Sequence, residues 1–186
     1  MQPEWKGRLD HWIETLKKEF YEPLGEIEFK GFLTFDQLTA EQAQAGEDFA
    51  PMPEGTRWGE EWQYAWMRAE IVLPEAAQGQ RIVMNLDPGG ESTIFVNGKS
   101  FGACRADWVG IPHHHYVDQT LTMEGQPGER FDLLLEAYAG HFYPQSALGG
   151  CSTGPVRPGD YQAPDPKAPR KVVGSNTFGI WHESAY

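Results

Sequence analysis

Three consecutive histidines, His113-His114-His115, form the side-chain cluster best suited to metal chemistry. In an extended segment neighbouring side chains point to opposite faces, so only His113 and His115 can converge on one ion. Zinc would need one or two further ligands, which Asp107, Asp118 or His141 could supply if loops met. His113 and His115 are therefore the candidate metal pair, and the competing reading is loop or packing histidines. Acid-base work could fall to Glu60, Glu61, Asp87, Glu91 or Glu136. Paired carboxylates cleave glycosidic bonds only at a fixed separation across a cleft, which chain spacing does not supply, so solvated rims and cross-strand partners compete with that role. The sequence has no Gly-x-Ser-x-Gly elbow, no phosphate-cradling glycine loop and no interpretable Cys/His nucleophile pair. No catalytic residue is assigned.

The aromatic residues offer a different chemistry. Trp58, Trp62, Tyr64, Trp66 and Trp108 concentrate near the expected ends of strands. Flat rings stack on the apolar faces of sugars while nearby polar groups bind the hydroxyls, which makes Trp62, Trp108 and His114 candidate carbohydrate contacts. The competing reading for Trp58 and Trp66 is that they fill a core or an interface.

Antiparallel strands must position these groups. From Gly89 to Gly102 an alternating segment runs into Asn97-Gly98, the strongest short-range hairpin signal. Further strands are expected over Glu26–Phe35, Ala65–Leu73, Arg81–Leu86, Ser92–Val96, His115–Met123 and Phe131–Tyr138, separated by glycine- and proline-containing turns, with a long loop from Gly98 to His114. Strands recurring at short spacing indicate a mainly β fold, an antiparallel β-sandwich. Asp36–Gly55 reads as a long surface connection with one short helical turn. Ahead of the strands, Trp5, Leu9, Trp12, Ile13, Leu16 and Phe20 follow a 3.6-residue period, an amphipathic helix halted by Pro23 and Gly25. Its stripe requires something large to dock on, either the chain's own sheet or a neighbouring domain. After Gly140 five prolines between Gln145 and Lys171 exclude a central strand. The closing aromatic run Phe178-Gly179-Ile180-Trp181 reads as the start of a further domain. The expected organisation is a helical segment over 1–25, the sandwich over 26–144, and a Pro/Gly-rich linker with a lead-in over 145–186.

Composition narrows the function classes. The 186 residues are 40% hydrophobic and 13% aromatic, a globular composition. With 15 basic against 27 acidic side chains the net charge is −12, which repels nucleic acid and anionic membranes. No apolar run approaches the ~20 residues of a membrane span. Cys104 and Cys151 lack both the number of a disulfide framework and the spacing of a zinc site. A cytoplasmic protein with free thiols is expected.

Trp58-Gly59, Trp66-Met67-Arg68-Ala69, Leu86-Asp87-x-Gly-Gly-Glu91, Val96-Asn97-Gly98-Lys99 and Glu136-Ala137-Tyr138-Ala139-Gly140-His141 resemble, in that order, the N-terminal domain of family 38 glycoside hydrolases, the α-mannosidases. The resemblance covers nearly all of the chain. It implies a galactose-binding-like, jelly-roll sandwich ahead of a catalytic domain that hydrolyses α-mannosides with retention, using zinc and an Asp nucleophile. The metal-binding His-x-Asp segment of that catalytic domain matches nothing here, so no catalytic or zinc residue carries over and no cofactor is expected in this segment. The implied role is non-catalytic: assembly and cleft shaping, with the catalytic domain of the same polypeptide as partner. A homo-oligomer and a carbohydrate are the other candidate partners, and a carbohydrate-binding module with its own sugar site is the alternative function.

Overall fold

Alternation along a strand decides which face is buried, and in the computed structural model of this chain it builds two antiparallel sheets around one shared core. The structure describes residues 3–17, 19–46, 48–104, 119–140 and 167–184. Its elements, in chain order, are α1 (Pro3–Lys17), β1 (Tyr21–Glu26), β2 (Lys30–Thr34), α2 (Ala40–Gln44), β3 (Ala50–Pro51), β4 (Arg57–Trp58), β5 (Tyr64–Val72), β6 (Ile82–Asn85), β7 (Glu91–Val96), β8 (Lys99–Cys104), β9 (Thr120–Thr122), β10 (Arg130–Tyr138), β11 (Lys171–Val172) and β12 (Thr177–Trp181). The larger sheet has the order β3-β2-β5-β10-β7-β8 and the smaller one β1-β12-β6-β9, with β11 and β4 forming a short separate ladder.

The core lies between the sheets. Met67, Ile71, Ile94, Leu133 and Leu135 face it from the larger sheet, Ile82, Met84, Phe178 and Ile180 from the smaller, and Trp58 closes one side. At the centre, β5 and β10 pair over their full lengths, from Tyr64 opposite Tyr138 to Val72 opposite Arg130. Leu135 has no exposed surface, and truncating a leucine so enclosed costs about 3 kcal/mol.

The hairpin signal is realised as expected. Val96 pairs with Lys99 across Asn97 and Gly98. Those two residues have φ of 50° and 72°, the left-handed pair that a type I′ turn requires.

Several elements differ from the sequence expectation, each for a physical reason. Lys99–Cys104, expected to open a long loop, is strand β8. It is an edge strand, largely exposed and without apolar alternation. Tyr21–Gly25, placed in the helical segment 1–25 beyond the last residue of its periodic stripe, form with Glu26 strand β1, which accommodates Pro23 and Gly25 because it is an edge with a register shift between them. The closing aromatic run is β12, an inner strand between β1 and β6, so the burial it requires is met within the sandwich. Both β1 and β12 take up residues outside the 26–144 range. Of the expected strand over His115–Met123, Thr120–Thr122 forms β9 against β6, and 115–118 lie outside the described residues.

The Asp36–Gly55 connection does more than cross the surface. Thr39 and Gln42 form a capping box that starts α2. Ala43 of α2 then packs with Trp66 and Leu134, flanked by Phe32, Phe49 and Phe95, in a second cluster on the outer face of the larger sheet. Trp58 fills the main core as expected, whereas Trp66 belongs to this outer layer.

Candidate functional site

One end of the larger sheet's outer face, left open by α2, carries the arrangement richest in chemistry. On β10 the residues Phe131, Leu133, Leu135 and Ala137 enter the core, which turns Glu136 and Tyr138 to the opposite side. Register places Tyr138 between Tyr64 of β5 and Glu91 of β7, and Glu136 between Trp66 and Thr93. The Tyr64 and Tyr138 rings are stacked, with centroids 4.9 Å apart and planes 28° apart. Gln37 Nε2 donates to Tyr64 Oη at 3.1 Å, which orients the outer ring of the pair.

Beside this pair is a cleft of about 410 Å³ lined by Tyr64, Glu91, Thr93, Glu136 and Tyr138, with Ser92 and Cys104 among its buried walls. Burial pushes the Glu136 carboxyl above its ordinary range. Burial also raises the Tyr138 phenol, with smaller contributions from Tyr64 and the Glu61 carboxylate, so that it stays a neutral hydroxyl donor. The Cys104 thiol is free and is pushed up chiefly by its burial, although the neighbouring Ser92 and Gln119 side chains pull the other way. Gln119 Nε2 donates to its Sγ at 3.3 Å. A thiol held protonated in this way is a poor nucleophile. Ring faces, hydroxyl donors and carboxylate acceptors in an open cleft are suited to holding a ligand rather than to breaking its bonds.

The turn into β5 displays Trp62. Gln63 N donates to Glu60 O at 3.1 Å, and Trp62, at the third position of this turn, has φ of 68°. A positive φ at that position defines a type II turn and ordinarily selects glycine. The conformation is over-determined by its surroundings. Trp62 N donates to Gly140 O, Ala139 N donates to Gln63 O, and Gln63 Oε1 accepts from both Gly59 N and Glu60 N. Trp62 is 53% exposed at the strand end where Tyr64 and Tyr138 lie.

Asp87, a carboxylate considered for acid-base work, is occupied structurally. Its Oδ1 accepts from Gly89 N, and its backbone is bound on both sides by the Asn176 amide. Gly89, with φ of 87°, lets the backbone pass close to Val172, where a Cβ would collide with the Val172 carbonyl. Trp58 Nε1 donates to Pro88 O at 2.9 Å in the same corner. The Leu86–Glu91 motif is therefore a clasp between the sheets. Glu60 and Glu61 lie in the Trp62 turn, and only Glu91 and Glu136 reach the cleft.

Of the sugar contacts expected from sequence, Trp62 is displayed as described, and Trp108 and His114 lie outside the described residues, as do His113 and His115. Among the described residues no group of three or more His, Cys, Asp or Glu could hold a metal ion. The Tyr64–Tyr138 pair was missed as a unit. Its signal was the parity of Glu136 and Tyr138, which oppose the apolar Leu133, Leu135 and Ala137 on one strand.

A second exposed feature is α1. Trp5, Leu9, Trp12, Ile13 and Leu16 are all exposed, Trp5 to 58% and Trp12 to 68%, whereas Phe20 at the end of the stripe packs on Trp181 of β12 with ring centroids 5.2 Å apart. Among the described residues no helix is long and apolar enough to cross a membrane.

The family described as "Alpha-mannosidase, jelly roll domain" matches residues 26–156. The chain is 32% identical over 73 residues to Alpha-mannosidase 2C1 of Mus musculus, a match covering 39% of this chain and 7% of that protein. It is 28% identical over 109 residues to Alpha-mannosidase 2C1 of Homo sapiens, covering 49% of this chain and 10% of that protein. The chain thus spans about a tenth or less of these relatives. A solved β-glucuronidase from Ruminococcus gnavus, in complex with uronic deoxynojirimycin, superposes with a TM-score of 0.50 at 13% identity, over 88% of this chain and 29% of that one. At that identity the likeness concerns the fold.

Proposed function

The chain belongs to the α-mannosidase jelly-roll domain family, and from that premise we propose that it is the non-catalytic front-end sandwich of an α-mannosidase-like glycoside hydrolase, serving assembly and the shaping of a substrate cleft. The observation that carries this reading is the stripe of α1, whose two tryptophans and three aliphatic side chains are exposed. Burying a side chain of this size contributes about 1.5–3 kcal/mol, so five of them on one face make a docking surface of real strength. The proposed occupant is the catalytic domain of the same polypeptide, because the segments this chain shares with the matched relatives make up only 7% and 10% of them. Zinc and bond cleavage belong to that domain in this proposal. The described residues offer no ligand set to hold the metal, and no catalytic step is assigned to them. A cytoplasmic location is part of the same proposal, and the free thiol of Cys104 is consistent with it.

The test is association in trans. The 186-residue chain is mixed with the catalytic region of a family 38 α-mannosidase and followed by sedimentation velocity, beside the double variant Trp5→Ser/Trp12→Ser. The expected result is a one-to-one complex formed by the parent chain and lost in the double variant, with no hydrolysis of a nitrophenyl α-mannoside by the chain alone. Self-association through α1 without capture of the catalytic region, or turnover by the isolated chain, overturns the proposal.

A further inference from the structure

We propose that the cleft walled by Tyr64 and Tyr138 on the outer face of the larger sheet is a binding subsite for a neutral pyranoside ring, with Trp62 at its open rim. The inference stands apart from the docking reading, since it uses neither α1 nor any other domain.

Three observations converge on this class of ligand. The first is the aromatic wall. Tyr138 is held between Tyr64 and Glu91 by strand register, and the stacked partner and the Gln37 hydrogen bond fix the pair before any ligand arrives. A rigid ring surface fits the apolar C–H face of a pyranose and loses little rotamer freedom on binding it. The second is the polar inventory. Glu91 and Glu136 supply carboxylate acceptors for sugar hydroxyls, and Thr93 with the Tyr138 phenol supplies hydroxyl groups that both donate and accept. Among the described residues no lysine or arginine lines the cleft, and Glu61 adds negative charge beside Tyr138. Uronates, phosphates and sulfates are repelled by that charge, so an uncharged sugar fits where an acidic one does not.

The third observation is Trp62. Its left-handed backbone is a conformation that glycine would adopt without strain, yet the position holds the bulkiest side chain, half in solvent. Strain of this kind persists where the surroundings enforce it and is concentrated at ligand sites. The Trp62–Gly140 backbone bond sets the turn beside the end of β10, next to Tyr138. An exposed tryptophan there extends the stacking surface beyond the tyrosine pair.

The experiment is a titration of the ¹⁵N-labelled 186-residue chain with methyl α-mannopyranoside, methyl β-glucopyranoside and sodium glucuronate, read by amide chemical shifts. Millimolar concentrations of a neutral glycoside are expected to move the amides of Tyr64, Thr93 and Tyr138, with glucuronate leaving them unmoved. Glu136→Gln removes a charged acceptor without changing shape, and affinity is expected to fall about tenfold. Trp62→Gly, which relieves the backbone, is expected to lower affinity about three- to tenfold while the fold is retained. Tyr138→Ala is expected to abolish the response, and if that variant does not fold the other two decide. No response of these amides to either neutral glycoside overturns the proposal, as does a response that Glu136→Gln and Trp62→Gly leave unchanged. The α1 variants of the docking test are expected to bind sugar normally, which keeps the two outcomes separable.

Discussion

Asn176 and Asp87, 89 residues apart in sequence, are tied by a reciprocal pair of hydrogen bonds in which Asn176 Oδ1 accepts from Asp87 N at 2.7 Å and Asn176 Nδ2 donates to Asp87 O at 3.3 Å. The same Nδ2 donates to Gly174 O at 2.9 Å. One buried amide therefore joins the segment leading into β12 to the turn between β6 and β7. Asn176→Ala is expected to cost about 1–3 kcal/mol, because Asp87 N and Gly174 O lose their side-chain partner at a part-buried site, while Asp87 O keeps Gly174 N. The urea midpoint should fall with the slope unchanged. A loss below half a kilocalorie would show that water replaces the amide there.

Trp58 and Trp66 are both buried indoles, but only Trp58 has an acceptor for its N–H among the described residues. Trp58→Phe removes ring volume and a hydrogen bond and leaves Pro88 O unpaired, an expected cost of about 2–3 kcal/mol. Trp66→Phe also removes ring volume but eliminates an unsatisfied buried donor, so the two effects oppose and the net cost is expected below about 1 kcal/mol. Thermal denaturation of both variants measures the contrast. Equal losses would mean that the Trp66 indole is satisfied after all.

Trp62→Gly is expected to stabilise the chain by about 1 kcal/mol, since a bulky residue in the left-handed region costs about 1–2 kcal/mol and glycine occupies it freely. The added unfolded-state freedom of glycine reduces the gain but does not cancel it. A higher melting temperature together with weaker sugar binding would be the signature of strain retained for a ligand. A lower melting temperature would refute the turn argument.

The raised Glu136 carboxyl has a defined consequence for stability against pH. Its folded-state affinity for a proton exceeds that of the unfolded chain, so folding disfavours the charged form. The penalty is absent below the ordinary carboxylate range and complete above the raised one. Glu136→Gln is therefore expected to raise the melting temperature slightly at neutral pH, with the advantage vanishing as the solution is acidified through the carboxylate range. An advantage that is constant with pH would assign the effect to packing.

The central strands of the larger sheet were legible because their signals are local. Alternation in Ala65–Leu73, Ser92–Val96 and Phe131–Tyr138 gives strand and face within short windows, and the Asn97-Gly98 turn adds the register of β7 on β8. The faces themselves were readable too, since Trp66 shares the parity of Tyr64 and Arg68 rather than of Met67. What escaped was set by distant partners. Tyr21–Glu26 is a strand only because Thr177–Trp181 lies beside it, and a segment holding Pro23 and Gly25 carries no local sign of that. Lys99–Cys104 escaped because an edge strand has little to bury. The binding cleft escaped because it joins three strands through register, which turn residues and tertiary packing decide, whereas the histidine run attracted notice by composition alone.

The pairing of Tyr21 with Trp181 means that the first and last strands of the sandwich are neighbours. During synthesis β1 leaves the ribosome with no neighbour on its sheet, and β6 likewise lacks the strand that separates it from β1. The β7–β8 hairpin and the pairing of β10 with β7 close over shorter loops, so nucleation is expected there and the four-stranded sheet is expected to be completed last. Until residue 181 emerges, β1 is unpaired and β6 is paired on one side only, by β9, so the slot between them is open to capture by chaperones or by another nascent copy.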